Sequence, residues 1–465
     1  MTQMEILRNL KRFLRSEKFA ERLKLGQQST FQAIYKAIRK GMNAFYIKEP
    51  SGIGKTQYAI ELTNAGQFKK VLFLVPTLAL VDQTDNRFRK FGENIVSINN
   101  FTGTKKEMDG QIIIGTYQSF QRASEFPIDP SCFDLVIWDE VHEALTPARQ
   151  QIMNFFDPQT IHLGLTASDE YNELKRVENF MPCIARMTIE EAVKLNLLCG
   201  VRCWLAQTNI DISRITLTRG DYDIKEQKRI IDIVRRNRAA LDIYSEFFNG
   251  QTCLITCINV EHAMKIAEIF QHAGISARAV WGSTQEYYLP KRELQQRLDD
   301  FKIGKIKVIT TVDLIDKGFD DTLISALINL RITSSVVKAT QRGGRVLRLF
   351  SDEDKKQPVA RKMFRRWGGK LATVVDFLDE CQNHSFRPVL FSDILGGTYI
   401  LPPPMEEHER NIGVGGDKLW PPNGRVSIRL ITDLIQVAKI TAQMTTFDSL
   451  PVANEDGIVF LPVQR

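Results

Sequence analysis

Two short segments carry residue types that together can hydrolyse a nucleoside triphosphate. The first follows the apolar run 43–47 and reads Glu49-Pro50-Ser51-Gly52-Ile53-Gly54-Lys55-Thr56. The second closes the apolar run 133–138 and reads Asp139-Glu140-Val141-His142. Each resembles a buried strand with a polar cluster at its carboxyl end, where open α/β sheets bind ligands. The two segments therefore predict one composite site.

Each residue type in these segments suits phosphate chemistry. Glycine at 52 and 54 lets backbone N–H groups wrap the phosphates at a helix N-terminus, and Lys55 reaches the β/γ-phosphates. Asp139 fits a metal-holding aspartate, and Glu140 fits the group that orients the attacking water. The predicted cofactors are ATP and Mg²⁺. The predicted nucleotide ligands are Ser51, Gly52, Ile53, Gly54, Lys55 and Thr56, and the predicted metal ligands are Thr56 and Asp139.

Length, charge and the longest apolar run limit the class of protein to which this chain can belong. A chain of 465 residues is too long for one average core, so two or three domains are expected. The net charge of +7 permits nucleic-acid binding without showing it. The longest apolar run, 71–81, is short for a membrane span of about 20 residues. No signal-peptide core is visible either, so we expect no membrane and a reducing, cytoplasmic setting.

The cysteines argue against a structural metal site. Cys253 and Cys257 are spaced four apart in a strand-like run, as are Cys199 and Cys203 along the chain. At about 3.3 Å per residue, the first pair of sulfurs would lie about 13 Å apart, too far to share one zinc ion. Small buried hydrophobes are the better interpretation.

The elements that must position the site alternate along the chain. Short apolar strands at 71–75, 111–114 and 161–165 alternate with helical stretches, which is typical of a parallel sheet. A second series of strands runs from about 250 to 377, and the segment 183–249 between the two series reads as helical and connecting. Residues 1–25 read as one or two basic amphipathic helices. The tail from 388 is loop-rich, with a helix predicted over 427–443.

The strand ends resemble, in order, the motifs of superfamily 2 helicases and translocases over residues 28–377. Gly52 to Thr56 look like motif I, and Pro76-Thr77 like motif Ia. Asp139 to His142 are similar to a DExH-type motif II, and Thr166-Ala167-Ser168 to motif III. In the second half, Thr256 falls at motif IV, and Thr311 with Gly318 and Asp320 at motif V. Residues 341–348 match motif VI, Gln-x-x-Gly-Arg-x-x-Arg.

This resemblance implies two tandem RecA-like α/β domains with parallel sheets flanked by helices. The implied boundaries are a basic helical segment over 1–27, domain 1 over 28–195, domain 2 over 196–387 and a C-terminal extension over 388–465. The last of these could bind a protein partner.

The resemblance also implies further site residues. Gln341, Arg345 and Arg348 would reach the γ-phosphate from the second domain, and Gly318 and Asp320 would contact the nucleotide. Coupling between nucleotide and motion would pass through His142, Thr166 and Ser168. Ser168 has the alternative of capping a helix opened by residues 169–170. The implied nucleic-acid contacts are Pro76, Thr77, Thr102, Gly103, Thr116, Tyr117, Thr256 and Thr311.

Two departures from the family pattern stand out. Glu49 occupies a position that normally holds glycine or alanine, so its carboxylate should point away from the nucleotide or pair with a base. Gln32 is the candidate for the adenine-reading glutamine, but the matching arginine is missing. Preference for adenine is therefore less secure than hydrolysis itself.

The motif forms favour a DNA helicase or translocase that acts on single-stranded, forked or branched DNA without sequence specificity. They resemble the DNA repair, recombination and restriction branch, including RadD-like and phage branched-DNA helicases. An RNA helicase and a non-unwinding motor subunit of a restriction or defence complex are the alternatives. The basic run 355–370 reads equally as a duplex grip or as a solvated insertion. Arg342 reads as a surface or interlobe salt-bridge residue.

Overall fold

The computed structural model describes a large part of the chain. The described residues are 2–93, 95–102, 108–121, 129–146, 149, 152–153, 155–168, 170–172, 175–218, 221–232, 234–248, 250–282, 286–312, 322–367, 369–380, 388–395, 410–411 and 427–433.

The first lobe is built on a seven-stranded parallel sheet. The described strands up to residue 186 are β1 (Ala44–Lys48), β2 (Val71–Val75), β3 (Ile98–Phe101), β4 (Ile112–Thr116), β5 (Leu135–Asp139), β6 (Ile161–Thr166), β7 (Glu170–Asn172), β8 (Lys175–Arg176) and β9 (Cys183–Arg186). The strand order is β3-β4-β2-β5-β6-β1-β9, and β7 pairs with β8 alone. All five residues of β2 are buried and apolar, as expected for an inner strand with both faces covered.

Helices flank this sheet. They are α1 (Gln3–Leu14), α2 (Glu17–Arg22), α3 (Leu25–Arg39), α4 (Lys55–Gly66), α5 (Leu78–Phe91) and α6 (Tyr117–Gln121). The predicted basic N-terminal helices are confirmed as α1 and α2. Thr2 and Glu5 form a capping box at the start of α1. Ile6 and Leu10 of α1 and Phe19 of α2 join the core of the first lobe, so these helices pack on it through their apolar faces.

The second lobe is built on an eight-stranded sheet. Its strands are β10 (Gly200–Asp211), β13 (Cys253–Thr256), β14 (Ala277–Trp281), β15 (Val308–Val312), β16 (Ala326–Asn329), β17 (Leu371–Glu380), β18 (Arg410–Asn411) and β19 (Ser427–Asp433). The order is β14-β15-β13-β16-β17-β10-β19-β18, and β18 and β19 run antiparallel to their neighbours. A separate hairpin is formed by β11 (Leu217–Thr218) and β12 (Asp221–Tyr222).

Helices also accompany the second sheet among the described residues after 186. They are α7 (Ile189–Lys194), α8 (Ile224–Ile231), α9 (Val234–Ile243), α10 (Val260–His272), α11 (Lys291–Lys302), α12 (Val336–Val346), α13 (Pro358–Trp367) and α14 (Phe391–Ile394). The fold class predicted from the sequence, two α/β domains with parallel sheets and flanking helices, is confirmed.

Two local predictions are wrong. The connecting segment is not simply helical, because its residues 200–211 form β10, which lies between β17 and β19 inside the second sheet. The helix predicted from 427 is also wrong where the structure describes it, since 427–433 form β19. In both places long-range strand pairing outweighs local helix propensity. Residues 434–443 of that predicted helix lie outside the described residues.

The two cysteine pairs and the longest helices bear on the expectations drawn from composition. Cys199, Cys203, Cys253 and Cys257 are all buried, as small hydrophobes should be. Within the described ranges, no helix combines the length and the apolar character needed to cross a bilayer.

Candidate functional site

The carboxyl end of β1 runs into a loop, residues 49–54, that leads directly into α4. Gly52 and Gly54 have φ angles of 91° and 97°, a region that residues with a Cβ rarely adopt. Lys55 is the first residue of α4 and is only 8% exposed. Its Nζ donates to the carbonyl oxygens of Glu49, at 3.0 Å, and Pro50, at 3.2 Å. A helix N-terminus, a glycine-rich turn and a buried cation thus meet at one point, as a polyphosphate requires.

Asp139 ends β5 on the same edge of the sheet. Burial raises the pKa of its carboxyl to about 7, and the adjacent charge of Glu140 acts in the same direction. A carboxylate in such a position is stabilised by a bound cation. The Thr56 hydroxyl and the Asp139 carboxylate supply oxygen ligands of the kind that Mg²⁺ prefers. The residue set therefore fits the predicted metal.

Glu140 has an unusual backbone conformation. Its φ of 50° is in the left-handed region, where a residue other than glycine costs of order 1–3 kcal/mol. Its Oε2 is buried and lies 3.5 Å from Nδ1 of His142, and no hydrogen-bond partner for it occurs among the described residues. An acceptor oxygen held in this way can orient a water molecule.

The three residues predicted to couple nucleotide and motion lie in contact. The Thr166 hydroxyl lies 2.9 Å from Nδ1 of His142, and it donates to the Ser168 carbonyl. The Ser168 N–H in turn donates to Thr166 Oγ1 at 3.1 Å. A continuous path of polar contacts therefore runs from Glu140 through His142 to the end of β6.

The alternative role of Ser168 as a helix cap is wrong. Residues 170–172 form β7 rather than the first turn of a helix. Ser168 is buried and lines a cleft between the lobes.

Glu49 is buried against α3 and not among the phosphate-binding groups. Its Oε1 accepts a hydrogen bond of 2.5 Å from the Thr30 hydroxyl. Burial raises the pKa of this carboxyl, while the hydroxyls of Thr30 and Tyr58 oppose the rise. The residue is 1% exposed, so the carboxyl forms part of the support beneath the loop.

Gln27, on the same helix as the predicted adenine-reading residue Gln32, contacts the phosphate loop. The Gln27 Nε2 donates to the carbonyl oxygen of Ile53 at 2.8 Å, and its Oε1 accepts from the Lys24 N–H at 2.9 Å. Gln32 lies farther along α3 and is exposed. The role of Gln32 in reading adenine stays a prediction, and Gln27 is an additional candidate residue of the site. Its position at the buried start of α3, just after the N-cap at Lys24, is the signal that could have identified it.

The second lobe reaches the loop through α12. Arg348 lies just after this helix, and a Cβ atom added to Gly52 would be 2.7 Å from its Cγ. A Cβ added to Gly344 would be 3.0 Å from Cβ of Ser51. Burial lowers the pKa of Arg348 to about 10, and the charge of Arg87 lowers it as well. The two lobes thus meet across the predicted nucleotide site.

Gln341 and Arg345 are four residues apart on α12 and therefore lie on one face of it. Both are half-buried. Together with Arg348, which contacts the loop, they remain the predicted contribution of the second lobe to the site.

Two family models match the chain. "Type III restriction enzyme, res subunit" matches residues 21–170, and "Helicase conserved C-terminal domain" matches residues 235–350. Together they cover more than half of the sequence, in the order that the two lobes follow. The chain belongs to helicase superfamily 2.

Several known proteins resemble this helicase-family chain. A "51.5 kDa protein" of Lactococcus phage (isolate 7-9) is 29% identical over 310 residues, covering 65% of this chain and 62% of the relative. The "Type I restriction enzyme EcoKI endonuclease subunit" of Escherichia coli (strain K12) is 23% identical over 397 residues, covering 72% and 34%. The "DNA 3'-5' translocase XPB2" of Sulfurisphaera tokodaii is 22% identical over 337 residues, covering 64% and 73%. The chain thus spans about three-fifths of the phage relative and one-third of the restriction subunit.

A solved structure supports the fold. "S. cerevisiae Dbp5 bound to RNA and ADP BeF3" superimposes with a TM-score of 0.52 at 14% identity, over 81% of this chain and 87% of that one. Two RecA-like domains in tandem are therefore the architecture of this helicase-family chain.

The predicted nucleic-acid contacts lie at or beside the carboxyl ends of strands, but several are used internally. Thr116 Oγ1 contacts the Ser119 hydroxyl at 2.8 Å, and the Tyr117 ring is buried while its hydroxyl donates to the Asp139 carbonyl at 2.8 Å. Thr256 donates to Asn329 at 2.9 Å. Tyr117 is therefore a core residue in this structure. Pro76, Thr77 and Thr102 are partly exposed, and Thr311 is buried.

Some predicted residues fall outside the described residues, and one is reassigned. Gly103, Gly318 and Asp320 lie outside the described ranges. Arg342 is buried within the second lobe, where its Nη1 donates to the Arg331 carbonyl at 3.4 Å, so its assignment to the surface is wrong.

Arg87 is a charged residue of the site that the sequence did not reveal. It lies on α5, and its charge acts on Asp139 as well as on Arg348. Burial lowers the pKa of Arg87 itself, while Asp139 opposes that change. No spacing pattern in residues 78–91 distinguishes it from an ordinary surface arginine.

The basic run 355–370 divides into two parts. Arg361, Lys362 and Arg365 of α13 are exposed, while Ala360 and Met363 are buried against the second lobe. Lys370 is buried, and its Nζ donates to the carbonyls of Thr322 and Arg348, both at 2.7 Å. Lys370 therefore fixes the backbone at Arg348, while Arg361, Lys362 and Arg365 face solvent.

Proposed function

We propose that this protein is an ATP-dependent DNA helicase or translocase that hydrolyses ATP between its two lobes. The observation that carries the proposal is the approach of Arg348 to Gly52. It brings the half-buried side chain of Arg348 from the second lobe against the phosphate loop of the first. An arginine supplied across a cleft stabilises the charge that develops in phosphoryl transfer and typically contributes 10³ or more in rate.

The roles of the other residues follow from their positions. Lys55 and the N–H groups of residues 51–55 would hold the β- and γ-phosphates. Thr56 and Asp139 would hold Mg²⁺, which supplies positive charge to the phosphate oxygens. Glu140 would orient the attacking water, and Arg345 and Arg348 would stabilise the transferring group. A change at Glu140 on hydrolysis would then pass through His142 to Thr166.

DNA is the proposed track. The motif forms Asp139-Glu140-Val141-His142 and Thr166-Ala167-Ser168 support this choice, as do a translocase relative named for DNA and a restriction-enzyme relative. Contacts through phosphates and strand-end hydroxyls carry no base information, so binding should be independent of sequence and sensitive to salt. The resemblance of the motif forms to those of branch-migration helicases favours forked or branched substrates.

The test is steady-state ATP hydrolysis at one salt concentration, without nucleic acid and with single-stranded DNA, duplex DNA, forked DNA or single-stranded RNA. Stimulation by DNA, strongest with forks and lost in Lys55→Ala, is the expected result. Stimulation by RNA alone would replace the proposal with an RNA helicase. Stimulation by duplex DNA without strand separation would indicate a non-unwinding motor.

A further inference from the structure

The first residues of the C-terminal extension form a clamp on the second lobe. We call residues 388–395, which include α14, the clamp segment. The Val389 N–H donates to the Thr333 carbonyl at 2.8 Å, just before α12 begins. The Phe391 N–H donates to Oδ2 of Asp376 in β17 at 2.7 Å. Leu390, Phe391 and Leu395 are at most 4% exposed. The segment is therefore fixed to the lobe at both its backbone and its side chains.

The ring of Phe391 lies directly on the backbone of α12 at Gly343. A Cβ atom added to Gly343 would be 2.0 Å from Cδ2 and 2.1 Å from Cε2 of this ring. A glycine inside a helix is unfavourable relative to alanine. The close approach of the ring gives a physical reason for a glycine at this position, because any side chain would displace Phe391.

The next residue of α12 makes the corresponding contact with the other lobe. Gly344 lies against Ser51 of the phosphate loop, with 3.0 Å from its added Cβ to Cβ of Ser51. Adjacent glycines thus contact Phe391 and the phosphate loop. Arg345 follows immediately. The placement of this arginine is therefore set between the clamp segment and the nucleotide site.

The clamp segment also faces the first lobe. A cleft of about 550 Å³ is lined by Lys48, Pro50 and Ser168 of the first lobe. Its other wall is formed by Thr340 of α12 and by clamp residues, including Val389 and Ile394. Any change in the separation of the lobes changes the space beside the clamp segment.

We propose that Phe391 is a positioning residue for ATP hydrolysis, which holds α12 so that Arg345 and Arg348 reach the γ-phosphate. The C-terminal extension thereby acts on the turnover of the motor. This inference rests on the proposed function. Phe391 touches neither nucleotide nor metal, and its effect passes through Gly343. Displacing a catalytic group by about 1 Å can cost roughly 10²-fold in rate.

The test compares Phe391→Ala, Gly343→Ala and the double variant in the full-length chain. Gly343→Ala should lower kcat by at least tenfold, because its methyl group collides with the ring. Phe391→Ala should also lower kcat at least tenfold, with KM for ATP and DNA affinity changed by less than threefold. The double variant should recover activity relative to Gly343→Ala, since the methyl group then occupies space that the ring has left. Gly282→Ala is the matched control, because among the described residues, chain neighbours apart, no atom lies within 4 Å of the Cβ it would add.

The outcomes separate this inference from the function on which it rests. Wild-type turnover that does not depend on Lys55 would overturn both. Lys55-dependent turnover with normal kcat in Phe391→Ala, or a double variant no better than Gly343→Ala, would overturn the positioning role alone. If Phe391→Ala does not fold, Phe391→Leu keeps an apolar side chain while removing the ring. A normal kcat for a folded Phe391→Leu together with a normal kcat for Gly343→Ala would then count against the proposal.

Discussion

Gly52 and Arg348 lie in contact, although they are almost three hundred residues apart and belong to different lobes. The Cβ position of Gly52 is 2.7 Å from Cγ of Arg348, and Gly52 has a φ of 91°. Both facts require glycine at this point. The phosphate loop is therefore shaped to receive the arginine as well as the phosphates.

Replacing Arg348 with alanine should reduce the kcat for ATP roughly 10³-fold, because the charge on the transferring phosphoryl group loses its cross-cleft partner. Equilibrium binding of ATP should weaken much less. Single-turnover kinetics and nucleotide titration measure the two quantities separately. Arg292→Ala removes an exposed arginine from the same lobe and should leave both unchanged. A pure loss of affinity in Arg348→Ala would contradict the assigned role.

Glu140→Gln should lower kcat by about 10²–10⁴-fold while ATP binding persists, since the amide cannot accept a proton from the attacking water. The variant should accumulate bound, unhydrolysed ATP in rapid filtration. Glu143→Gln is the control. The Glu143 carboxylate is paired with Arg149 at 2.8 Å, so its replacement should leave kcat unchanged. Normal turnover in Glu140→Gln would remove Glu140 from the site.

Gln27→Ala should raise KM for ATP about tenfold, and Gln32→Ala should leave it unchanged. Gln27 holds the Ile53 carbonyl of the phosphate loop, and losing one buried hydrogen bond costs about 1–1.5 kcal/mol. Gln32 is exposed on the same helix, so the pair is matched in residue type and element. Initial-rate kinetics at saturating DNA make the comparison. The opposite pattern would assign nucleotide contact to Gln32 and not to Gln27.

Glu49→Gln should stabilise the protein at neutral and higher pH. The folded pKa of Glu49 is raised by burial above the unfolded value of about 4.3, so its ionisation destabilises the fold as pH rises through that interval. Below the unfolded value both states carry the proton, and the advantage of glutamine should disappear. Urea unfolding at pH 4, 6 and 8 measures the difference.

The exposed carboxylate of Glu190 provides the comparison for that experiment. Glu190→Gln breaks a surface pair with Lys194 and should show no such dependence on pH. If Glu49→Gln has the same free energy of unfolding as wild type at all three pH values, the Glu49 carboxyl is not desolvated.

The sequence predicted the strands that carry the phosphate loop and the acidic pair, because each is an apolar run followed by a polar cluster. It did not predict β10, whose partner β17 begins at Leu371, far along the chain. Local periodicity carries no information on such pairing. The helix prediction for residues 427–433 is wrong for the same reason, since β19 is held by its pairing with β10 and β18.

Within the site, residue type was predictable and orientation was not. Gln27 and Gln32 are both glutamines near the start of the first lobe, and only the burial of Gln27 against Ile53 distinguishes them. Tyr117 follows a strand end, as a nucleic-acid contact would, yet its ring stacks on Trp138 in the core. Such choices depend on packing between elements that are distant in the sequence.

The two lobes are joined by a short connection. Only the short stretch between β9 and β10, which contains α7, links the two sheets along the chain. A short linker of this kind gives the two lobes an effective concentration, relative to each other, of the order of millimolar. Under the proposed function, closure of the lobes would be an intramolecular association, so a small contact such as that of Gly344 with Ser51 would suffice to hold it. Breaking a single phosphate bond would then be enough to release this contact and to let the lobes reopen after each turnover.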